Sequence, residues 1–165
     1  MSNNTSFVRN DEGLYQTKGQ ITSEEIIKTA TEILFDQVSG RDVLNSPNET
    51  AQFLQLALAN EINEHFGVLY LDNQNQVIDF EKLFNGTVDS SAVYPRVVVQ
   101  KCLEKNAAAV IFVHNHPSGV HTPSNSDKLI TKQLKNALAL IDVRTLDHFV
   151  VSGSGWTSLA EQGDI

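Results

Sequence analysis

The sequence predicts an α/β domain in which helices flank a mixed β-sheet, and three observations lead to this fold class. Segments with the apolar spacing of helices alternate along the chain with segments that have a strand pattern. The run from Ala107 to Val113 is continuously apolar and of strand length, which is typical of a central strand buried on both faces. At 165 residues the chain has the length of one domain with a substantial core.

The N-terminal part is predicted to hold an arm and one helix. Residues 1–20 are rich in Asn, Ser, Thr and Gly, and we interpret them as a flexible arm. Thr22 or Ser23 can cap the helix that follows, because either hydroxyl can accept a hydrogen bond from the first turn. Residues 21–45 are therefore assigned to an N-terminal helix and a linker.

The main domain is predicted to span residues 46–165 and to begin with a second helix. Ser46 and Pro47 form a typical helix start, with Pro at the first helical position. The apolar face of this helix is predicted to extend to Ile62. The elements expected beyond it are a hairpin of strands 66–71 and 76–84, a helix 95–103, the central strand 107–113, a helix that begins at Ser124, and a last strand 144–152.

The charge and the cysteine content exclude several classes of protein. The formal net charge is −8 and the sequence has no run of Lys or Arg, so direct nucleic-acid binding is not expected. Cys102 is the only cysteine, which rules out an intramolecular disulfide and a cysteine-based zinc site. Residues 1–20 lack the pattern of a signal peptide, and no apolar run approaches the ~20 residues that span a bilayer. We therefore expect a cytoplasmic protein.

The residues that can carry chemistry are concentrated between His114 and Asp127. Side chains two apart on a strand point to the same face, with backbones ~6.6 Å apart, so His114 and His116 can converge on one ion. Asp127 follows one loop later in the first turn of a helix, where the helix dipole favours an ionised carboxylate. Two His and one carboxylate leave a fourth position open, which is the arrangement of a catalytic zinc. These three residues are the predicted metal ligands.

The same residues also have structural interpretations. Ser124 to Asp127 satisfies the pattern of a capping box, and an isolated His on an apolar strand is commonly a hydrogen-bonded core residue. Two His at positions i and i+2, followed by Pro117 and a polar helix start, are harder to explain by packing. Capping and ligation are compatible, because Ser124 can cap the helix while Asp127 binds the metal.

The pattern His114-x-His116-Pro117-x-Gly119, followed by Pro123-Ser124-x-x-Asp127, resembles the JAMM motif of JAB/MPN-domain metallopeptidases. The surrounding sequence is more closely similar to the RadC family, and this resemblance runs from about Pro47 to Gly153. It implies a cytidine-deaminase-like α/β fold built around a mixed sheet. The segments that carry it are Phe66-Gly67-Val68-Leu69-Tyr70-Leu71-Asp72, Gly86-Thr87-Val88-Asp89-Ser90, Pro95-Arg96, Asn106-Ala107-Ala108-Ala109 and Leu146-Asp147-His148-Phe149-Val150-Val151.

The resemblance also implies one Zn²⁺ per chain and a set of catalytic residues. Glu64 precedes the run Gly67-Val68-Leu69 as the water-activating Glu of the family does, and Glu61, one turn earlier on the second helix, is the alternative general base. Ser124 is implied to hydrogen-bond the developing oxyanion. The implied function is that of a zinc-dependent metallohydrolase, which cleaves a peptide or isopeptide amide in a protein or peptide substrate.

The chain departs from the RadC pattern at several positions. Longer RadC proteins carry an N-terminal helix-hairpin-helix region, and nothing in residues 1–45 resembles it. Tyr94 stands where the family often has His, and Val120-His121 replaces the usual Asp-Pro. We interpret His121 as a solvent-facing loop residue.

Two neighbouring residues of the last strand, Asp147 and His148, keep two interpretations open. They either support a metal ligand from behind or form a buried hydrogen-bonded pair.

Other functions follow from the same resemblance. The chain could be a RadC-like DNA-repair or mobile-element accessory protein, in which the domain binds partners and the zinc is structural. A deaminase of the related fold needs a Cys-x-x-Cys pair after the His, which a single cysteine excludes. The exposed hairpin strands could pair two subunits into a homo-oligomer.

Overall fold

The computed structural model describes residues 7–17, 19–43, 47–58, 61–86 and 93–165. The helices in these ranges are α1 (Ser23–Val38), α2 (Pro47–Leu58), α3 (Pro95–Glu104) and α4 (Asn125–Ala139). The strands are β1 (Phe7–Arg9), β2 (Tyr15–Thr17), β3 (His65–Leu71), β4 (Val77–Asn85), β5 (Ala109–Asn115), β6 (Arg144–Ser152) and β7 (Gly155–Ser158). None of the described helices is both long enough and apolar enough to span a bilayer.

Five strands form one mixed sheet in the order β4-β3-β5-β6-β7. β5 and β6 run parallel, because α4 crosses over between them, and the other neighbouring pairs are antiparallel. β5 lies in the middle of the sheet and all seven of its residues are buried, as predicted for a central strand. The strand lies two residues later than the predicted range 107–113, so it also includes His114 and Asn115. The predicted α/β fold with a mixed sheet between helices is therefore confirmed.

The sheet separates two apolar cores, because successive side chains of a strand point to opposite faces. Odd-numbered residues of β5, such as Val113, pack with α1 and α2 in one core. Even-numbered residues, such as Phe112, pack with α3 and α4 in the other. By the same alternation, His114 belongs to the face covered by α4, whereas Asn115 belongs to the face covered by α2.

The N-terminal segment contains two strands that the sequence analysis did not predict. Within residues 1–20, assigned above to a flexible arm, β1 and β2 pair as an antiparallel hairpin in which Phe7 lies opposite Thr17. Residues 1–6 and 18 lie outside the described residues. α1 begins as expected, because Thr22 caps it and Glu25 completes the capping box.

The end of the second helix and the strand β7 also differ from the expectations. The second helix ends at Leu58, so the predicted extension of its apolar face to Ile62 is wrong, and Ile62 is 88% exposed. The predicted helix start at Ser46 lies outside the described residues. The short strand β7 was not predicted, because four residues with two small ones carry little strand signal.

Candidate metal centre

The three predicted ligands lie where β5 ends and α4 begins. His114 is the last but one residue of β5 and is buried on the α4 side of the sheet. His116 follows the strand, and its N–H donates to the Val151 carbonyl at 2.8 Å, so the chain still runs beside β6. Gly119 then turns the backbone with a φ of 86°, a conformation that favours glycine. Asp127 lies in the first turn of α4.

The side chains of these three residues converge. Nε2 of His114 and Nε2 of His116 are 2.9 Å apart. Asp127 places Oδ1 3.3 Å from Nε2 of His114 and Oδ2 3.7 Å from Nε2 of His116. A tetrahedral zinc with ligands at ~2.1 Å holds their donor atoms ~3.4 Å from one another, and the three distances bracket this value. The donor set and its spacing therefore fit a metal ion.

Asp127 serves the helix and the cluster at the same time. Its Oδ2 accepts a hydrogen bond from the Ser124 N–H at 2.6 Å, and Oγ of Ser124 accepts from the Asp127 N–H at 3.2 Å. Burial opposes ionisation of this carboxyl, but His114 and the Ser124 N–H stabilise the carboxylate more strongly. The pKa of Asp127 consequently lies well below its usual range. The capping box thus forms while Oδ1 remains close to Nε2 of His114.

The loop after β5 orients the ring of His116. Nδ1 of His116 lies 2.7 Å from the carbonyl oxygen of Val120. Because a carbonyl oxygen only accepts hydrogen bonds, Nδ1 carries a hydrogen, which leaves Nε2 as the nitrogen that can bind a metal. The loop is held in turn by Ser154, whose hydroxyl donates to the Gly119 carbonyl at 2.7 Å.

His121 anchors the same loop, and the prediction that it faces solvent is wrong. Its ring is half-buried, with Nδ1 2.8 Å from Oγ1 of Thr157 on β7. The ring also lies against Gly155, where an added Cβ would come within 3.2 Å of Nε2. The sequence analysis missed β7, which supplies both contacts, and so placed His121 in solvent.

His148 lies directly behind His114 on the neighbouring strand β6. Its Nε2 is 2.9 Å from Nδ1 of His114, and its Nδ1 is 2.5 Å from Oγ1 of Thr131 on α4. Burial, followed by repulsion from His114, holds the pKa of His148 well below its usual value, so the ring is neutral. Asp147 points away from this cluster and accepts a hydrogen bond from the hydroxyl of Ser158 at 2.6 Å. His148 therefore contacts a predicted ligand, as one of the two interpretations expected, whereas Asp147 does not.

Glu64 lies beside the cluster, in the connection that leads into β3. It lines the same cavity as His114 and Asp127. The connection is not helical at this point, so the assignment of Glu61 to a helix turn is wrong. The position of Glu64, directly before the strand, agrees with the position that the sequence analysis gave the general base.

Glu61 is placed differently from Glu64. It lines a separate cavity together with His116, and its carboxylate pairs with Lys82 and, at 3.4 Å, with His65. The hydrogen bond from Lys82 lowers the pKa of Glu61, which burial only partly opposes. The carboxylate of Glu61 is thus engaged by Lys82 and His65 and lies outside the cavity that Glu64 lines.

Asn115, between the two His, fixes the connection that carries Glu64. Its Oδ1 accepts a hydrogen bond from the N–H of His65 at 2.7 Å, and its Nδ2 donates to the carbonyl of Asn63 at 3.1 Å. The carbonyl of Glu64 itself accepts from the N–H of Gly86 at 2.9 Å. The backbone is therefore held at Glu64 and at both adjacent residues. The sequence analysis missed this role, although the alternation of β5 indicates that Asn115 faces away from the ligands.

The cavity next to the cluster has a volume of about 250 Å³. Phe66, Val93 and Ile130 give it an apolar wall, and Ser126 and Gln133 add polar groups. The sequence analysis did not identify these residues. The helical spacing could have indicated two of them, because Ile130 and Gln133 follow Asp127 at intervals of three on α4.

A mixed sheet whose central strand ends in a His-x-His pair, with an Asp in the first turn of the next helix, defines a JAB-type domain. The comparison with protein families agrees, because the model of the RadC-like JAB domain matches residues 44–164. The chain therefore belongs to the RadC-like JAB domain family. The family predicted from the sequence is confirmed.

Several UPF0758 proteins are similar to this chain. A UPF0758 protein of Vibrio cholerae is 50% identical over 149 residues, which cover 90% of this chain and 94% of the relative. UPF0758 proteins of Aliivibrio salmonicida and Alcanivorax borkumensis are 44% and 52% identical, over 85% and 74% of this chain. The matched regions span 62% and 54% of these two longer relatives. The names of these relatives state no activity.

Proposed function

We propose that this domain is a zinc-dependent hydrolase that cleaves a peptide or isopeptide amide. The observation that carries the proposal is the convergence of two imidazole nitrogens and one ionised carboxylate beside a cavity that His114, Asp127 and Glu64 line. The shared RadC-like JAB family supports the same chemistry, because its resemblance to JAMM metallopeptidases implies these residue types in these positions.

Each residue of the centre has a defined task in this proposal. His114, His116 and Asp127 hold the Zn²⁺, which when bound supplies a Lewis acid that polarises the substrate carbonyl and activates water. Glu64 accepts a proton from the attacking water while the water oxygen bonds to the carbonyl carbon. It returns the proton to the nitrogen when the C–N bond breaks, so that an acid and an amine are released.

Two further residues support this reaction. Asn115 hydrogen-bonds the backbone on both sides of Glu64, and this fixes the position of the Glu64 carboxylate relative to the cavity. Ser124 uses only a lone pair of its hydroxyl for the helix cap, so its O–H can still donate to the developing oxyanion. Loss of one such donor typically lowers kcat by ~10²–10³.

The walls of the cavity define the kind of substrate that fits. Phe66, Val93 and Ile130 favour an apolar side chain next to the scissile amide, and Gln133 can hydrogen-bond a peptide group. The net charge of −8 disfavours nucleic acid as the direct ligand. A protein or peptide substrate is therefore proposed.

Metal analysis and peptide cleavage together test the proposal. Zinc-loaded protein is incubated with a peptide mixture prepared from a bacterial proteome, and new termini are identified by mass spectrometry. We expect about one zinc per chain, lost in His114→Ala, and cleavage next to apolar residues. Glu64→Gln should retain the metal and lose cleavage, whereas Glu61→Gln, which changes a carboxylate outside this cavity, should retain both.

The alternative outcomes are distinct. Zinc binding with no cleaved peptide would favour the accessory function with a structural zinc, and a mobility-shift titration with DNA across salt concentrations would then examine that role. Unchanged cleavage by Glu64→Gln would contradict the assignment of the general base.

A further inference from the structure

The hydrogen bonds behind His114 allow its hydrogens to be assigned one by one. Oγ1 of Thr131 lies 2.5 Å from the carbonyl oxygen of Asp127, one turn earlier on α4. A carbonyl oxygen only accepts, so the single hydroxyl hydrogen of Thr131 is donated there. Oγ1 of Thr131 must then accept in its other contact, the one at 2.5 Å with Nδ1 of His148. The hydrogen of His148 therefore sits on Nδ1.

The assignment continues to the metal ligand. His148 is fully buried, and its ring packs against Phe66 and Phe112, with ring centroids 5.4 and 5.8 Å away. A charged ring in such surroundings is costly, so His148 carries one hydrogen only and its Nε2 is an acceptor. That Nε2 lies 2.9 Å from Nδ1 of His114, which must donate. His114 consequently carries a hydrogen on Nδ1, which leaves Nε2, 2.9 Å from Nε2 of His116 and 3.3 Å from Oδ1 of Asp127, as the nitrogen that can bind the metal.

We propose that Thr131 and His148 are positioning residues that set the tautomer of His114 and so present its Nε2 to the metal. This inference rests on the metal centre of the proposed function, but it requires neither Glu64 nor hydrolysis. These hydrogen bonds link two predicted ligands, because they run from Nδ1 of His114 through His148 and Thr131 to the backbone carbonyl of Asp127. Thr131 and His148 are 1% and 0% exposed, so water cannot replace either group.

The first experiment measures Zn²⁺ affinity by competition with a chromophoric chelator. Thr131→Val keeps the shape of the side chain and removes the hydroxyl, so Nδ1–H of His148 loses its acceptor. His148 is then better satisfied with its hydrogen on Nε2, which forces the hydrogen of His114 onto the atom that must bind zinc. We expect Thr131→Val to weaken Zn²⁺ binding by ~10–100-fold, as lost support of a ligand typically does.

Two control variants separate this effect from a loss of packing. Thr131→Ser keeps the hydroxyl and should bind Zn²⁺ nearly as well as the unaltered protein. Thr145→Val removes a buried hydroxyl of β6 that has no hydrogen-bond partner among the described residues, and should leave the affinity unchanged. Thermal unfolding of the metal-free variants verifies that each is folded.

A second measurement needs no variant. Long-range ¹H–¹⁵N NMR correlations distinguish which nitrogen of an imidazole carries the hydrogen, and we expect the Nδ1–H form for both His114 and His148 in the Zn²⁺-loaded protein. An Nε2–H form of His148 would overturn the inference. Equal Zn²⁺ affinity of Thr131→Val and the unaltered protein would overturn it too and leave the metal centre intact. A folded protein that binds no Zn²⁺ at all would overturn both.

Discussion

Replacement of Asn115 by Ala tests how firmly one side chain holds the connection before β3. The N–H of His65 would lose its acceptor in a part-buried position, which costs about 1–3 kcal/mol. The carbonyl of Asn63 is exposed and can turn to water, so its loss contributes little. The space left by the buried amide adds about 1 kcal/mol. We therefore expect the free energy of unfolding to fall by about 2–4 kcal/mol.

Urea unfolding in the presence of a chelator measures this change without a contribution from bound metal. Asn73→Ala, at an exposed turn position, is the matched control and should change stability by no more than about 0.5 kcal/mol. Amide hydrogen exchange should become faster at His65 in Asn115→Ala and stay unchanged in the control. A loss of stability below about 0.5 kcal/mol for Asn115→Ala, with the His65 amide still protected from exchange, would contradict the role of Asn115 in holding the connection before β3.

Three further changes have expected outcomes of different kinds. Ser124→Ala should lose about 1 kcal/mol of stability with the helix cap, whereas Ser124→Gly should lose only a few tenths. Both variants should lower the rate of the proposed hydrolysis by ~10²–10³, and full activity in either would exclude the Ser124 hydroxyl from the reaction. Gly67→Ala places a Cβ about 3.0 Å from ring carbons of Phe80 and should cost about 1–3 kcal/mol by urea unfolding, while Gly153→Ala, with nothing within 4 Å, should show no such packing cost. Burial raises the pKa of the Cys102 thiol to about 12, so a thiol reagent at pH 8 should modify it only on unfolding, and rapid modification of native protein would contradict this burial.

The main elements of the fold could be predicted because their signals are local. The last strand of the prediction, Arg144–Ser152, coincides with β6, and the predicted start of α4 after Ser124 is confirmed by a complete capping box. Continuous apolar sequence predicted a central β5, since only a strand covered on both faces can bury every side chain. The hairpin of β1 and β2 and the short β7 were missed, because strands of three or four residues are defined by their partners and not by a period.

The cluster of His114, His116 and Asp127 could be predicted from the sequence, but the contacts behind it could not. His114 and His116 are close in sequence, so the alternation of a strand brings them together without knowledge of the fold. The contact of His148 with His114 depends instead on the parallel pairing of β5 and β6, where Phe112 lies opposite His148. The spacing of Thr131 four residues after Asp127 is a helical one, but nothing in the sequence shows that β6 reaches that side of α4.

The alternation of side chains along β5 explains why a predicted ligand, His114, and the residue that holds the connection before β3, Asn115, occupy consecutive positions. His114 faces α4 and therefore meets Asp127, while Asn115 faces the α2 side and meets the connection that follows that helix. A slip of β5 by one residue would exchange these faces, pointing the imidazole into the apolar core and the amide at the carboxylate. Gly67 suits the observed register of β3 with β4 and β5, because Phe80 and Val113 occupy the space that a Cβ at this position would need. The register of the sheet, and not the His residues alone, therefore determines whether residues 114–116 can form the proposed metal centre.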